Sequence, residues 1–312
     1  MYKKFIQFLC RHVFLISVLM STYQVHAAHK ADLIIFSYDR PLQLYALLES
    51  IDKNVTNIGK IYIICRTSSQ EYEKGYHTVS QELADFFCKY DVTYIAQNAP
   101  YKDFREKTIA CVNACENGHI FFAVDDMIVI RPINLDEVIN ALEESKAYCF
   151  QLRMGLSIEY CYTKKMNVKV PKGLIYREKF FVWKFADGIK DWCYPFSLDM
   201  GLYTKSFLVK ELNSFHFNSP YSLEAKWYPY SKNKFKQKYG ICYLQSAVVN
   251  IPLNCLEKNS VNLHMNFATT EKIFELFSDG YKIDITSLQN YVPKSPHIHY
   301  EPTFIKRGEV AI

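Results

Sequence analysis

Four short apolar runs, each closing on polar residues, constrain this chain most. They are residues 31–36 (ADLIIF), 60–65 (KIYIIC), 92–96 (VTYIA) and 119–124 (HIFFAV). Between them lie stretches with helical spacing. Residues 42–51 carry apolar side chains at 44, 47, 48 and 51, with Pro41 suited to a first helical turn. Residues 79–90 and 104–115 read as helices too, the second stopped by Asn117-Gly118. Strand–helix alternation of this kind predicts an α/β fold, a mostly parallel, two-sided mixed sheet flanked by helices. Ligands of such sheets bind outside the carboxyl ends of the strands. Residues 37–40, residues 66–69, Gln97 and the pair Asp125-Asp126 all fall at those ends.

The second half is less regular. Residues 135–145 form an amphipathic helix, residues 146–260 hold short aromatic strands and long loops, and residues 269–279 form another helix, capped by Thr270 and ended by Gly280. No repeat or low-complexity segment interrupts the chain, so one continuous sheet is expected, with the second half packed against the first.

The N-terminus is set aside from the fold. Lys3, Lys4 and Arg11 precede an apolar run at 13–20, polar residues follow at 21–24, and Val25-His26-Ala27 offers small residues at the cleavage positions. This order is that of a secretory signal peptide cut after Ala27, or of an N-terminal anchor. The protein is then exported or membrane-anchored, with a cytoplasmic location as the alternative, and any membrane association runs through this segment alone. Without residues 1–27 the chain keeps 34 basic against 32 acidic side chains, which removes the basis for a polyanion-binding role. Residues 228–239 (YPYSKNKFKQKY) are a local basic patch, read as a solvated loop beside an acceptor site and not as a nucleic-acid surface. Nine cysteines remain, an odd number in apolar surroundings, which argues against a disulfide framework; Cys111 and Cys115 have no matching pair for zinc. Buried thiols suit a reducing compartment, in tension with the leader.

Chemistry is expected first at Asp125 and Asp126. Two carboxylates at the end of a buried strand suit a hard divalent cation, Mn²⁺ or Mg²⁺, that bridges them to a diphosphate; a simple turn is the alternative. The sequence has neither GxGxxG nor a Walker lysine motif, which disfavours dinucleotide oxidoreductases and P-loop NTPases. A phosphate binder without such loops needs a metal and basic side chains, and Arg40, Arg66 and Lys107 are candidates.

Several stretches in order resemble the GT-A-fold glycosyltransferases, in particular the bacterial family 2-like members. Residues 36–41 (FSYDRP) followed by Leu44, Leu47 and Leu48 are similar to the family's opening strand and Arg-Pro pair. Val124-Asp125-Asp126 resembles its DxD-type metal motif, although it is not a strict D-x-D. Residues 249–254 (VNIPLN), Phe274, Gly280 and residues 283–284 resemble its C-terminal part. The resemblance spans about residues 31–290 and implies a single catalytic domain at 28–312, with a nucleotide-binding half near 28–130 and an acceptor half at 131–312. It implies a metal-dependent transfer of a sugar from a nucleotide-sugar donor to a carbohydrate or other hydroxyl acceptor. Ser37, Arg40, Arg66, Lys107 and Asp125 would contact the donor; Asp125, Asp126 and a late histidine, His264, would hold the metal. One departure stands out: the family often carries an acidic residue after the second strand, and this chain has Arg66-Thr67-Ser68-Ser69.

An inverting transferase needs a base for the acceptor hydroxyl. Glu224 and Asp199 are the candidates, with a helix N-terminal acid and an ordinary turn as the structural alternatives. His297 and His299 alternate along the tail, with no partner carboxylate evident in sequence. Trp183, Trp192 and Trp227 suit core packing before sugar stacking. Two rival functions share the scaffold: a non-catalytic nucleotide or carbohydrate binder, and a metal-dependent phosphoesterase.

Overall fold

The computed structural model describes residues 27–254, 265 and 267–308. A nine-stranded mixed sheet runs through it. The strands are β1 (Ala31–Tyr38), β2 (Ile58–Arg66), β3 (Val92–Ala96), β4 (His119–Val124), β5 (Cys149–Gln151), β6 (Gly173–Tyr176), β7 (Phe180–Lys184), β8 (Gly201–Thr204) and β9 (Tyr239–Tyr243). Their spatial order is β6-β7-β9-β5-β8-β4-β1-β2-β3. β1 pairs in parallel with both β2 and β4, and β2 with β3, so these four carboxyl ends share one edge. β8 joins antiparallel to β4 and carries the sheet into the second half. There the pairing is mixed: β9 lies parallel to β5, while β7 and β6 continue antiparallel.

β1 is buried along all but its last residue, and its two faces feed different layers. Leu33 and Ile35 meet Leu44, Leu47, Leu48 and Ile51 of helix α1 (Pro41–Asn54). Ile34 and Phe36 face an aromatic layer with Phe104, Phe122, Trp183 and Trp227. Each fully buried leucine or isoleucine of α1 contributes about 2 kcal/mol of apolar transfer. All three tryptophans are completely buried, so they serve packing.

Asp32 on β1 is the exception in this apolar strand. Fully buried, it accepts hydrogen bonds from the backbone N–H groups of Lys60, Glu116 and Asn117 and from the Asn117 amide. The carboxylate thereby fixes the amino ends of β1, β2 and β4 against one another. The turn into β4 thus relies on the Asp32 side chain and not on a left-handed backbone at Gly118.

Several expected boundaries change. The helix expected over 79–90 is two: α2 (Gln70–Glu82) and α3 (Ala84–Lys89), broken at Leu83. The first of them starts nine residues before the expected one: Tyr72, Gly75, Tyr76 and Val79 recur at helical spacing and are buried. Helix α4 (Phe104–Ala114) follows the sequence expectation, as does α5 (Leu135–Ser145), capped by Asn134. After α6 (Lys205–Leu212) comes α7 (Pro220–Phe235), which takes up most of the stretch read as a solvated loop. Pro229 inside it masked the pattern; a reciprocal Ser219–Ser222 capping box and Pro220 in the first turn start it. In α8 (Thr270–Ser278) the cap is Thr269, not Thr270, whose hydroxyl instead accepts from Asn254. The eight described cysteines are unpaired, and six of them are buried.

Candidate functional site

The shared carboxyl edge of β1, β2 and β4 opens into a cavity of about 240 Å³. Ser37, Arg40, Arg66, Gln97, Asp125 and Asp126 line it from the first half of the chain. Asp199, Glu224, Asn250, Asn254 and His297 close it from the second.

Asp125 is 3% exposed and fully engaged. Its Oδ2 accepts from Ser37 Oγ at 2.9 Å and from the Tyr38 N–H at 3.2 Å, and its Oδ1 accepts from Arg40 Nη1 at 3.0 Å. Ser37 Oγ lies 2.6 Å from the hydroxyl of Tyr76, which also accepts from the Arg40 N–H. Since Ser37 donates to Asp125, the Tyr76 proton is the one that reaches Ser37, and burial holds Tyr76 protonated by pushing it well above its ordinary value. The same Arg40 Nη1 is 3.4 Å from Asp126 Oδ2, and its Nη2 donates to the Asn254 carbonyl at 2.7 Å. A single guanidinium thus spans both aspartates and the loop after residue 250.

Asp126 takes its other contact from Asn250 Nδ2 at 2.6 Å. Burial pushes its carboxyl up to about 7, against the pull of Arg40. Asn250 Oδ1 is buried with no hydrogen-bond partner among the described residues. An orphaned carbonyl oxygen beside a carboxylate is an oxygen donor set of the kind a hard divalent cation takes. No three His, Cys, Asp or Glu side chains converge as a metal cluster among the described residues, so a cation here would complete its shell with phosphate oxygens and water.

Arg66 stacks between two rings, 4.1 Å from the Tyr38 centroid and 4.6 Å from that of Tyr101. Planar stacking leaves the guanidinium edge for an anion. Asp39, between the strand end and α1, adopts a left-handed backbone at φ 51° and is tied down through the Ser68 N–H at 2.8 Å. That turn brings Arg40 under the aspartates.

On the opposite wall, Glu224 sits one turn into α7, past the residues that cap it: no acid lies in the first turn, and Ser219 is the cap. Its Oε1 reaches across to the Leu198 N–H at 2.7 Å and to Ser197 Oγ at 3.3 Å. Its Oε2 accepts no hydrogen bond among the described residues. Loss of solvent, and next the charge of Asp199, push its carboxyl up to about 7. Asp199 is differently placed: its Oδ2 accepts from buried Arg153 at 2.8 Å, with His297 Nε2 at 3.5 Å. Burial lowers the His297 pKa despite that neighbour, so the imidazole is neutral at pH 7.

Two expected residues lie elsewhere. Lys107 does not line the cavity, and its ammonium is 3.8 Å from Asp103 on its own helical face. His264 lies outside the described residues. Asn250, Asn254, Tyr76 and Arg153 went unassigned in sequence, although the first two belong to the VNIPLN stretch. The late histidine in the cavity is His297, and its partner carboxylate is Asp199, distant in sequence. Backbone bonds between 296–298 and Asn250 bring the tail there.

No protein-family model matches the chain, and no curated protein matches it. Among solved structures it is similar to TarS from S. aureus in complex with UDP, at 12% identity and a TM-score of 0.45 over 70% of this chain and 58% of that one. It is similar to TarS in complex with UDP-GlcNAc, at 14% identity and a TM-score of 0.43 over 70% of this chain and 56% of that one. It is also similar to the mannosyltransferase PcManGT from Pyrobaculum calidifontis in complex with GDP-Man and Mn²⁺, at 9% identity and a TM-score of 0.43 over 69% and 56%. The chain thus spans a little over half the length of these crystallised chains, the two TarS ones being residues 1–349, and 33% of the longer TarS chain.

Proposed function

We propose that this protein transfers a sugar from a nucleotide-sugar donor to an acceptor hydroxyl. The observation that carries the reading is one cavity with two opposed walls. One wall pairs aspartates with arginines, and the other offers a carboxylate with an open oxygen and a raised pKa.

The first wall suits a diphosphate leaving group. Arg40 and Arg66 supply positive charge at strand ends, where phosphates of α/β ligands commonly lie. Asp125 spends both its oxygens on Ser37, Tyr38 and Arg40, so it orients Arg40 and the β1 turn. Asp126, with Asn250, would hold Mg²⁺ or Mn²⁺. When bound, such a cation neutralises charge that develops on the departing diphosphate.

The second wall suits proton removal. As the acceptor oxygen bonds to the anomeric carbon and the carbon–oxygen bond to the diphosphate breaks, the acceptor proton passes to Glu224 Oε2. The Leu198 N–H and Ser197 hydroxyl hold Oε1 and fix the carboxylate's direction. Asp199 is committed to Arg153 and positions that arginine and His297 at the acceptor side.

The test is turnover of nucleotide sugars, followed as free nucleoside diphosphate, with Mn²⁺ present. Asp125→Ala combined with Asp126→Ala should lower turnover by on the order of 10³-fold or more. Turnover equal to wild type in that variant, or release of inorganic phosphate from simple esters in place of nucleoside diphosphate, would remove the reading.

A further inference from the structure

The outer end of the sheet carries an unusual surface. β6 is the edge strand and pairs only with β7 among the described residues. Its two central residues, Leu174 and Ile175, are 75% and 63% exposed. Successive strand residues point to opposite faces, so the hairpin projects as a blade with apolar side chains on both sides. Exposed apolar edges invite pairing, and native chains usually blunt them. Ile189, beside the turn that packs on β7, is 48% exposed.

Charge around this blade is one-sided. Residues 164–190 contain eight Lys or Arg against Glu178 and Asp187. Arg177 and Lys179 pair with Glu144 and Glu137, which leaves six lysines without an ion pair among the described residues. Packing brings these pieces together. Gly173 of β6 pairs with Trp183 of β7, whose ring meets Trp192 at 4.9 Å, at the end of the turn that carries Ile189 and Lys190. Lys190 and Lys164 line one cavity of about 340 Å³, which also reaches Asp199, Glu224 and His297. The lysine-rimmed cavity therefore runs from the basic side to the proposed acceptor wall.

We infer that this blade and its lysines dock the protein on an anionic lipid surface. Aliphatic side chains enter the headgroup boundary while lysines contribute electrostatic attraction, and each alone binds weakly. The rival occupant is a second copy joined through the β6 edges. Six unneutralised lysines would face their own counterparts there, so charge complementarity favours the anionic bilayer. No helix among the described residues is long and apolar enough to cross a membrane; the blade is a contact besides the N-terminal segment, to which the sequence alone confines any membrane association. The inference does not depend on the proposed activity.

The experiment is vesicle co-sedimentation of the full chain, with the N-terminal segment present in every variant. Wild type should bind mixed phosphatidylglycerol–phosphatidylcholine vesicles, release in high salt, and bind phosphatidylcholine alone poorly. Leu174→Ser with Ile175→Ser, and separately Lys169→Glu with Lys172→Glu, should each weaken binding by about tenfold or more. Both pairs are exposed, and unchanged melting curves will show the fold intact. Vesicle binding equal to wild type in both variants would overturn the inference, as would wild type that ignores anionic vesicles. A concentration-dependent dimer abolished by the Leu174/Ile175 pair, without vesicle binding, would assign the blade to a second copy.

Discussion

Glu224 is the residue whose environment says most about what it does. A carboxylate left in water titrates near its ordinary value of 4.5, while burial and Asp199 push this one up to about 7. A base of that strength is about half ionised at pH 7, and its ionised form takes up a proton readily. Glu224→Gln should lower kcat by roughly 10²–10⁴-fold and leave the donor KM nearly unchanged. The acid limb of the wild-type rate profile should fall through about pH 7. Stability runs the other way. Between 4.5 and about 7 the native state keeps this proton while the unfolded chain has released it. The native state therefore binds more protons, and its stability falls as pH rises through that window. Thermal melts should find Glu224→Gln more stable than wild type at pH 8, with the difference gone below pH 4.5. A variant no more stable at pH 8 would mean the carboxylate is not desolvated as described.

Among the elements, the ends of β1, β2 and β4 decide the site, and Asp32 holds their opposite ends in register. Asp32→Ala leaves three backbone N–H groups without the acceptor they share. At about 1–3 kcal/mol for each buried donor left unmade, the loss should reach ~3 kcal/mol or more. A denaturant titration should register it as a lower midpoint at similar slope; a loss under ~1 kcal/mol would show that water replaces the carboxylate easily. These parallel strands were legible in sequence because each is a local apolar run with polar residues at its exit. Ser37, Arg40, Arg66, Asp125 and Asp126 could be named for the same reason. Helix α7 was not legible: Pro229 and its lysines look like a loop, whereas the Ser219–Ser222 capping box starts the helix and the burial of Leu223, Trp227 and Phe235 carries it through. Asn250, Arg153 and His297 were hidden for a different reason. Their site partners Asp126 and Asp199 lie on other segments, and no local pattern records such pairings.

At the scale of the whole molecule, one sheet joins two halves with different duties. The parallel half presents arginines and aspartates where its strands stop. The mixed half swings β8, α7 and the tail over that edge, so that Asp199, Glu224 and His297 face them. Arg40 binds the halves together, since it holds Asp125 and Asp126 with one nitrogen and the Asn254 carbonyl with the other. The direct measurement is calorimetric titration of nucleoside diphosphates into the full chain with Mn²⁺, for wild type and for Asp125→Asn combined with Asp126→Asn. At least one nucleoside diphosphate should bind wild type, and the variant, with its melting point retained, should bind it at least about tenfold more weakly. Equal affinity in the two proteins, or no binding by any nucleoside diphosphate, would contradict the account.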